Sequence, residues 1–197
     1  MEEEFKVGPH TISVPRVEPA EGSDLSLNPP YKISDDEFKK VVAVLRLSVP
    51  YTGIIMSTRE NALMRDRLLS LGVSQVSAES NTSPGGYSVD SKEQAGEQFS
   101  VGDQRSLDEI VGTLIKHDYI PSFCAACYRM ERTGEAFMRL AKPGTIKGKC
   151  SMNALITLQE YLDDFASVKV KQVGYKMIER YFNKLDNVDQ DMLKLFF

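Results

Sequence analysis

The stretch 53–80, GIIMSTRENALMRDRLLSLGVSQVSAES, decides the fold. It begins with an apolar run of strand length, Gly53 to Ser57, and crosses polar Thr58, Arg59 and Glu60 into a helical pattern from about Asn61 to Leu71. Gly72 stands just past that pattern, where a residue without a Cβ ends a helix most readily. A second apolar run, Val73 to Ala78, follows at once. Strand, helix and strand joined by such short connections form the repeating unit of a parallel α/β sheet.

The pattern extends in both directions. Upstream, Thr11 to Val14 reads as a strand, and Ser34-Asp35-Asp36-Glu37 is a capping box opening a helix with Phe38, Val41, Val42 and Leu45 on one stripe. Downstream, a helix starting near Ser106 places Leu107, Ile110, Val111, Leu114 and Ile115 on one face, and Tyr119 to Phe123 reads as a fourth strand. Between them, Asn81 to Gly102 is rich in Ser, Gly, Glu and Gln and holds the turn-forming Pro84-Gly85-Gly86-Tyr87, which predicts a long exposed loop. Past Cys127 the pattern is helical: near Thr133 to Leu140, Asn153 to Phe165, Lys171 to Leu185 and Asp189 to Phe197. Tyr161, Leu162 and Phe165, then Tyr175, Ile178, Phe182 and Leu185, read as packing stripes.

In parallel α/β sheets the reacting groups collect at the carboxyl ends of the strands. Those ends read Ser13-Val14-Pro15-Arg16, Ser57-Thr58-Arg59-Glu60, Ser77-Ala78-Glu79-Ser80 and Cys124-Ala125-Ala126-Cys127. The ordinary polarity of loops explains any one of them, but four in succession point to a shared active face. Arg59 and Glu60 either contact substrate or cofactor or pair to close a barrel, with pairing the favoured expectation, and His117 reads as a surface cap at a helix end.

The chain has three cysteines, Cys124, Cys127 and Cys150, in a C-x2-C-x22-C run. In an intracellular-looking chain such a cluster means metal or redox chemistry more often than a cross-link. Three thiolates can hold three irons of a cubane cluster and leave the fourth open. Three cysteines with a histidine can instead hold zinc, and a lone CxxC can be a redox couple. The spacing leaves all three readings standing. Cys150 is expected just before the Asn153 helix, where exposed amides and the positive helix end favour a thiolate.

Composition excludes some functions. At 197 residues and 42% hydrophobic, the chain can bury one good-sized core or two small ones. A formal net charge of −4 without a long basic run argues against nucleic acid as a partner, since neutralising phosphates needs clustered Lys and Arg. No stretch approaches the roughly 20 apolar residues of a membrane span, and the longest apolar-rich segment, Val41 to Val49, is broken by Arg46 and Ser48. The acidic start, MEEEFK, lacks the basic-then-apolar order of a signal peptide, so a cytoplasmic location is expected. That start also reads as the tail of a helix running straight into a strand, as in a piece of a longer chain.

The strings GPHTISVPR, AVLRLSVPYTGIIMSTRE, GVSQVSAES with PGGY, VGDQRSLDEI, and IPSFCAACYR with RTGEAFM and a later cysteine resemble the C-terminal half of the HydG family over nearly the whole chain. These are the radical S-adenosylmethionine tyrosine lyases that mature [FeFe]-hydrogenase. The resemblance implies the C-terminal part of a (β/α)8 barrel, about its last four strands, in residues 1–123, and a helical extension in residues 124–197. In that family a first cluster cleaves S-adenosylmethionine, and the radical fragments tyrosine to p-cresol and dehydroglycine. Dehydroglycine then yields carbon monoxide and cyanide at an auxiliary [4Fe-4S] cluster.

The resemblance makes Cys124, Cys127 and Cys150 the ligands of that auxiliary cluster, with an additional iron at its open corner; His10 is either a ligand of that iron or an ordinary hydrogen-bonded histidine near a strand start. Arg16 becomes the partner of the substrate carboxylate, which a guanidinium can grip bidentately, with Ser13 beside it. The implied partners are the N-terminal half of the barrel, a tyrosine-derived small molecule and other hydrogenase maturases. A hydrogenosome-type organelle fits the family as well as the cytoplasm does. The related 2-iminoacetate synthases share the style of strand ends but are not expected to carry the cysteine run. A zinc- or thiol-containing, non-catalytic module is the other alternative.

The chain departs from the family pattern in lacking CxxxCxxC, the motif of the first cluster. Three cysteines cannot hold two clusters by thiolates. S-adenosylmethionine and the second [4Fe-4S] cluster are therefore expected in the complete enzyme only, and the chain alone is expected to cleave neither S-adenosylmethionine nor tyrosine. Strands of a half-barrel also leave open edges, which the other half would cover.

Overall fold

The computed structural model describes residues 2–5, 7–20, 22–87 and 98–196. The chain divides into two compact units, Pro9–Ser106 and Leu107–Phe197 with Met1–Gly8. A one-turn helix, α1 (Glu2–Phe5), comes first.

Parallel pairing frames the Pro9–Ser106 unit. Strands β1 (Thr11–Ser13), β2 (Gly53–Met56) and β3 (Gln75–Val76) lie in sequence order, with Ile12 opposite Ile54 and Met56 opposite Val76. A short helix, α2 (Asp24–Leu27), and a longer one, α3 (Asp35–Ser48), cross from β1 to β2, and α4 (Ala62–Ser70) crosses from β2 to β3. Alternation along β2 buries Ile54 and Met56, which pack with Phe38 and Val42 of α3 and Met64 and Leu68 of α4. Val41 of the expected stripe faces outward.

The helices begin and end where local chemistry dictates. The capping box closes α3: the Ser34 amide donates to Glu37 Oε2 at 2.8 Å and the Glu37 amide donates to Ser34 Oγ at 3.3 Å. Asn61 caps α4, accepting from the Met64 amide at 2.9 Å. Gly72 has φ +103°, a conformation that excludes most side chains, and a Cβ there would meet Arg46 Cγ at 2.7 Å. Arg46 itself donates to the carbonyls of Gly72 (2.7 Å), Thr52 (2.7 Å) and Pro50 (3.0 Å), which precede β3 and β2.

Beyond the sheet, the amides of Gly102 and Asp103 both donate to the Thr58 carbonyl, at 2.8 and 3.0 Å. The two ends of the expected 81–102 loop are stapled together: Gln98 N donates to the Thr82 carbonyl and Thr82 Oγ1 donates to the Phe99 carbonyl. The part of that loop at 88–97 lies outside the described residues.

The other unit is helical: α5 (Leu107–Lys116), α6 (Ala126–Arg129), α7 (Gly134–Ala141), α8 (Ile146–Asp164), α9 (Val168–Phe182) and α10 (Asn187–Leu193). Val111 and Ile115 of α5, Leu155, Leu158 and Leu162 of α8, Val170 and Met177 of α9, and Leu193 of α10 share one core. Two glycines let backbones approach: a Cβ on Gly112 would stand 3.2 Å from Val170, and one on Gly174 would stand 2.6 Å from Leu162. No helix among the described residues is long and apolar enough to cross a membrane.

Four sequence expectations change. Tyr119 to Phe123 joins no sheet among the described residues, because its polar groups find helical partners: the Phe123 amide donates to Thr157 Oγ1 and its ring stacks on Tyr161 at 4.9 Å. The Val73 to Ala78 run contracts to the two residues of β3. Phe165 and Tyr175 are exposed, at 77% and 38%, instead of filling the core. Finally, α8 starts at Ile146 and not near Asn153, so Cys150 lies inside a helix. Gly144 and Gly148 look like breakers, but Gly144 sits in the turn before α8 with φ +79° while Gly148 is carried within the helix.

These contacts predict opposite effects at two glycines of the helical unit. Gly174→Val should lower the unfolding free energy by about 1–3 kcal/mol, through overpacking against Leu162. Gly148→Ala, at an exposed helical position with open space around it, should raise it by up to about 1 kcal/mol. Urea unfolding followed by helical circular dichroism checks both.

Candidate functional site

The cysteines gather in the helical unit. Cys124 is exposed and stands at the entry to α6, where its Sγ accepts from the Ala126 amide at 3.4 Å. Cys127 is half-buried on α6 itself. The chain then turns sharply: Glu131 is left-handed with φ +52°, and the Arg132 amide donates to the Cys127 carbonyl at 2.8 Å. Cys150 sits in the second turn of α8, exposed as a residue.

Burial of the sulfur and the negative charge of Cys127 and Cys124 push the Cys150 thiol up, while Arg132 pulls it back. This reverses the expected helix-end effect. Inside α8 there is no free amide end facing the sulfur, so burial prevails, with the like charges of Cys127 and Cys124 adding to it.

A cation or an iron–sulfur core would remove that repulsion and draw the protons off, because metal ligation requires thiolates. Soft sulfur donors suit iron–sulfur clusters and zinc. Among the described residues, however, no three His, Cys, Asp or Glu side chains are drawn together tightly enough to hold a metal ion. The thiols have not closed on one point. One further atom favours a bound group here: Arg132 Nε is buried without a hydrogen-bond partner. Leaving such a donor unmatched costs about 1–3 kcal/mol, more for a charged group.

A second charged cluster forms at the strand ends of the Pro9–Ser106 unit. Arg16, just past β1, grips Glu60 with both arms of its fork, Nε to Oε1 at 2.8 Å and Nη2 to Oε2. Its Nη1 donates to Asp35 Oδ1 at 2.8 Å and to the Ile33 carbonyl at 3.2 Å, and the guanidinium lies 4.8 Å over the Phe38 ring. The bonds to Glu60 are the main reason Arg16 is held above its ordinary range. Glu60, 2% exposed, therefore pairs with Arg16 and not with Arg59, which stacks 4.0 Å over Phe99.

Arg16 is thus bonded to two carboxylates of its own chain, Glu60 and Asp35. Ser13 is exposed at the end of β1. His10 is half-buried just before β1, its Nδ1 at 3.2 Å from Thr11 Oγ1. His117 is exposed just past α5, as expected.

Glu18 was not visible from the sequence. It is half-buried beyond Arg16, and burial followed by the charge of Glu60 pushes its carboxyl up, against the pull of Arg16 and Arg59. Nothing in a loop reading Val17-Glu18-Pro19 signals that neighbourhood. Arg132 was equally hidden, because its role depends on the left-handed turn at Glu131.

Residues 13–120 match the Biotin and Thiamin Synthesis associated domain. The chain is 31% identical over 114 residues to the 2-iminoacetate synthase of Salmonella typhimurium, covering 58% of this chain and 29% of that protein. It is 32% identical over 105 residues to the 2-iminoacetate synthase of Escherichia coli, covering 53% of this chain and 26% of that one. Two solved structures share the fold over almost all of the chain. HydG, a maturase of the [FeFe]-hydrogenase, superposes with a TM-score of 0.89 at 47% identity, covering 98% of this chain and 41% of HydG. The FeFe-hydrogenase maturase HydG from Carboxydothermus hydrogenoformans gives 0.72 at 38% identity, covering 99% and 41%. The α/β arrangement followed by helices is thus that of part of a radical S-adenosylmethionine barrel with its helical extension. The chain spans less than half the length of each of these relatives.

The strand-end cluster predicts two outcomes. Arg16→Ala leaves Glu60 buried without its counter-charge, and should destabilise the Pro9–Ser106 unit by about 3 kcal/mol, with part of the loss restored in Arg16→Ala/Glu60→Leu; chemical denaturation of both reads this. Glu18 has a raised folded value, so its contribution to stability is present below the ordinary carboxyl range and lost as pH rises through that raised value. Glu18→Gln should accordingly stabilise at pH 7 and lose its advantage near pH 4, as thermal melts across that range would record.

Proposed function

We propose a function from the premise that the chain belongs to the Biotin and Thiamin Synthesis associated domain family: it is the cluster-binding part of a HydG-type radical S-adenosylmethionine tyrosine lyase. The observation that carries this reading is the placement of Cys124, Cys127 and Cys150 in one helical unit, the first two at the entry to and on α6 and the third on α8. It is supported by the likeness to HydG, which extends over 98% of the chain.

In this reading the three thiolates hold an auxiliary [4Fe-4S] cluster. Bound there, the cluster would supply an open iron able to accept small ligands; His10 of the Pro9–Ser106 unit stays the proposed ligand of an additional iron. The chain's own part is to supply three soft donors in one unit and to anchor Arg132, through its amide, on the Cys127 carbonyl.

Arg16 and Ser13 remain the proposed contacts for the carboxylate of a tyrosine-derived substrate. Asp35, the exposed member of the Arg16 pairings, is the partner that such a carboxylate would displace. Glu60, buried and doubly bonded, would stay and fix the guanidinium's orientation.

The complete reaction, tyrosine to carbon monoxide and cyanide for [FeFe]-hydrogenase assembly, needs the first cluster and S-adenosylmethionine. No CxxxCxxC lies among the 197 residues, so those groups and the N-terminal half of the barrel would come from elsewhere. Other hydrogenase maturases are the proposed recipients of the product, in the cytoplasm or a hydrogenosome-type organelle. The second reading is a 2-iminoacetate synthase, favoured by the names of the curated relatives. Those relatives match only 58% and 53% of the chain.

Anaerobic reconstitution with iron and sulfide tests the proposal. The chain should take up about four irons and give a cubane paramagnetic signal on reduction, both lost in Cys124→Ala. Stoichiometric zinc with no uptake of iron would overturn the reading in favour of a non-catalytic zinc module.

A further inference from the structure

Arg132 is placed by the same turn that places Cys127. One residue of α6 after Ala126 is Cys127, and the helix closes with the Met130 amide donating to the Ala126 carbonyl at 2.9 Å. The left-handed Glu131 then reverses the chain, and the Arg132 amide donates to the Cys127 carbonyl at 2.8 Å. The root of the Arg132 side chain is therefore held to the backbone of a proposed ligand by one hydrogen bond.

From that root the guanidinium turns inward. Its Nε is buried and has no acceptor among the described residues. Buried donors are almost always matched, and one that is not calls for an acceptor that protein atoms do not supply. Because the Arg132 amide is bonded to the Cys127 carbonyl at 2.8 Å, this orphaned donor belongs to a residue anchored on one of the three cysteines. A protonated thiol is a weak acceptor. A thiolate or an inorganic sulfide beside a guanidinium is an anionic acceptor, and bonds of that kind are the strong ones.

We propose that Arg132 is a positioning residue for the group held by Cys124, Cys127 and Cys150, donating its Nε–H to a cluster sulfur and raising the cluster's reduction potential. This rests on the cluster-binding reading above. Reduction adds one electron to the cluster, and a nearby cation with a donor aimed at sulfur stabilises the more negative, reduced state. Hydrogen bonds to the sulfurs are among the established determinants of such potentials. Lysine would keep the charge but lose the fixed planar donor, so the two contributions can be separated.

The test is a dithionite-poised redox titration of the reconstituted 197-residue chain, read by electron paramagnetic resonance, for the wild type, Arg132→Gln and Arg132→Lys. At the wild-type midpoint, Arg132→Gln should show the ratio of reduced to oxidised cluster lowered about tenfold, equivalent to about 59 mV for one electron, and Arg132→Lys a smaller drop. Arg132→Gln with wild-type iron content and an unmoved midpoint would overturn the proposal.

If Arg132→Gln takes up no iron, Arg132→Lys decides: a lowered midpoint supports the assignment and an unmoved one overturns it. If neither variant takes up iron, an unchanged helical melting curve supports a role in holding the group, and a collapsed one overturns it as merely structural. A wild-type chain that binds no iron overturns the cluster reading itself, a result distinct from all of these.

Discussion

The Pro9–Ser106 unit depends on one buried ion pair. Arg65 of α4 and Asp103 are 2% and 1% exposed, and they meet beneath the strand ends. Arg65 also donates to the Ser77 carbonyl just past β3, while Asp103 binds Arg105, which reaches on to Asp66 at 3.0 Å. Burial is the largest influence on both groups. It leaves Arg65 below its ordinary range, whereas the arginine bonds outweigh it and hold the Asp103 carboxyl down. Two charges so far from water are tolerated because each has several partners, and the loss of any one would strand the rest. The network brings together a helix, a strand end and the segment returning after the 81–102 loop. Gly102 fits this closure because a Cβ there would stand 2.3 Å from the Arg59 carbonyl.

The secondary elements that announce themselves locally were legible in the sequence. The capping box at Ser34 and the helix end at Gly72 depend on neighbours within a turn, and the structure keeps both. What failed depended on distant partners. Tyr119 to Phe123 has strand composition, but a strand exists only if another strand pairs with it, and here the Thr157 hydroxyl and the Tyr161 ring serve that segment instead. The start of α8 was obscured by Gly148, which an exposed helix tolerates when the rest of its length packs as Leu155, Leu158 and Leu162 do.

The candidate site was legible in its residue types more than in its electrostatics. The C-x2-C-x22-C run marks three sulfurs, and all three fall in the helical unit. The sign of the effect on Cys150 could not be read, because it turned on whether the residue precedes a helix or lies inside one. Arg16 was picked out for its affinity for carboxylates, and it is bound to two. Which carboxylates those would be was beyond the sequence, since Asp35 and Glu60 lie on different elements.

Arg46 bears on how faithfully the sheet is assembled. Its guanidinium is spread over the carbonyls of Pro50, Thr52 and Gly72, immediately ahead of β2 and β3. Strands as short as these have few ladder bonds with which to choose an alignment. A slip of one residue in either would carry a carbonyl out of the guanidinium's reach, and a slip in β2 would also turn Ile54 and Met56 from the core toward water. A single side chain at the end of α3 therefore proofreads the alignment of both strands from outside the sheet.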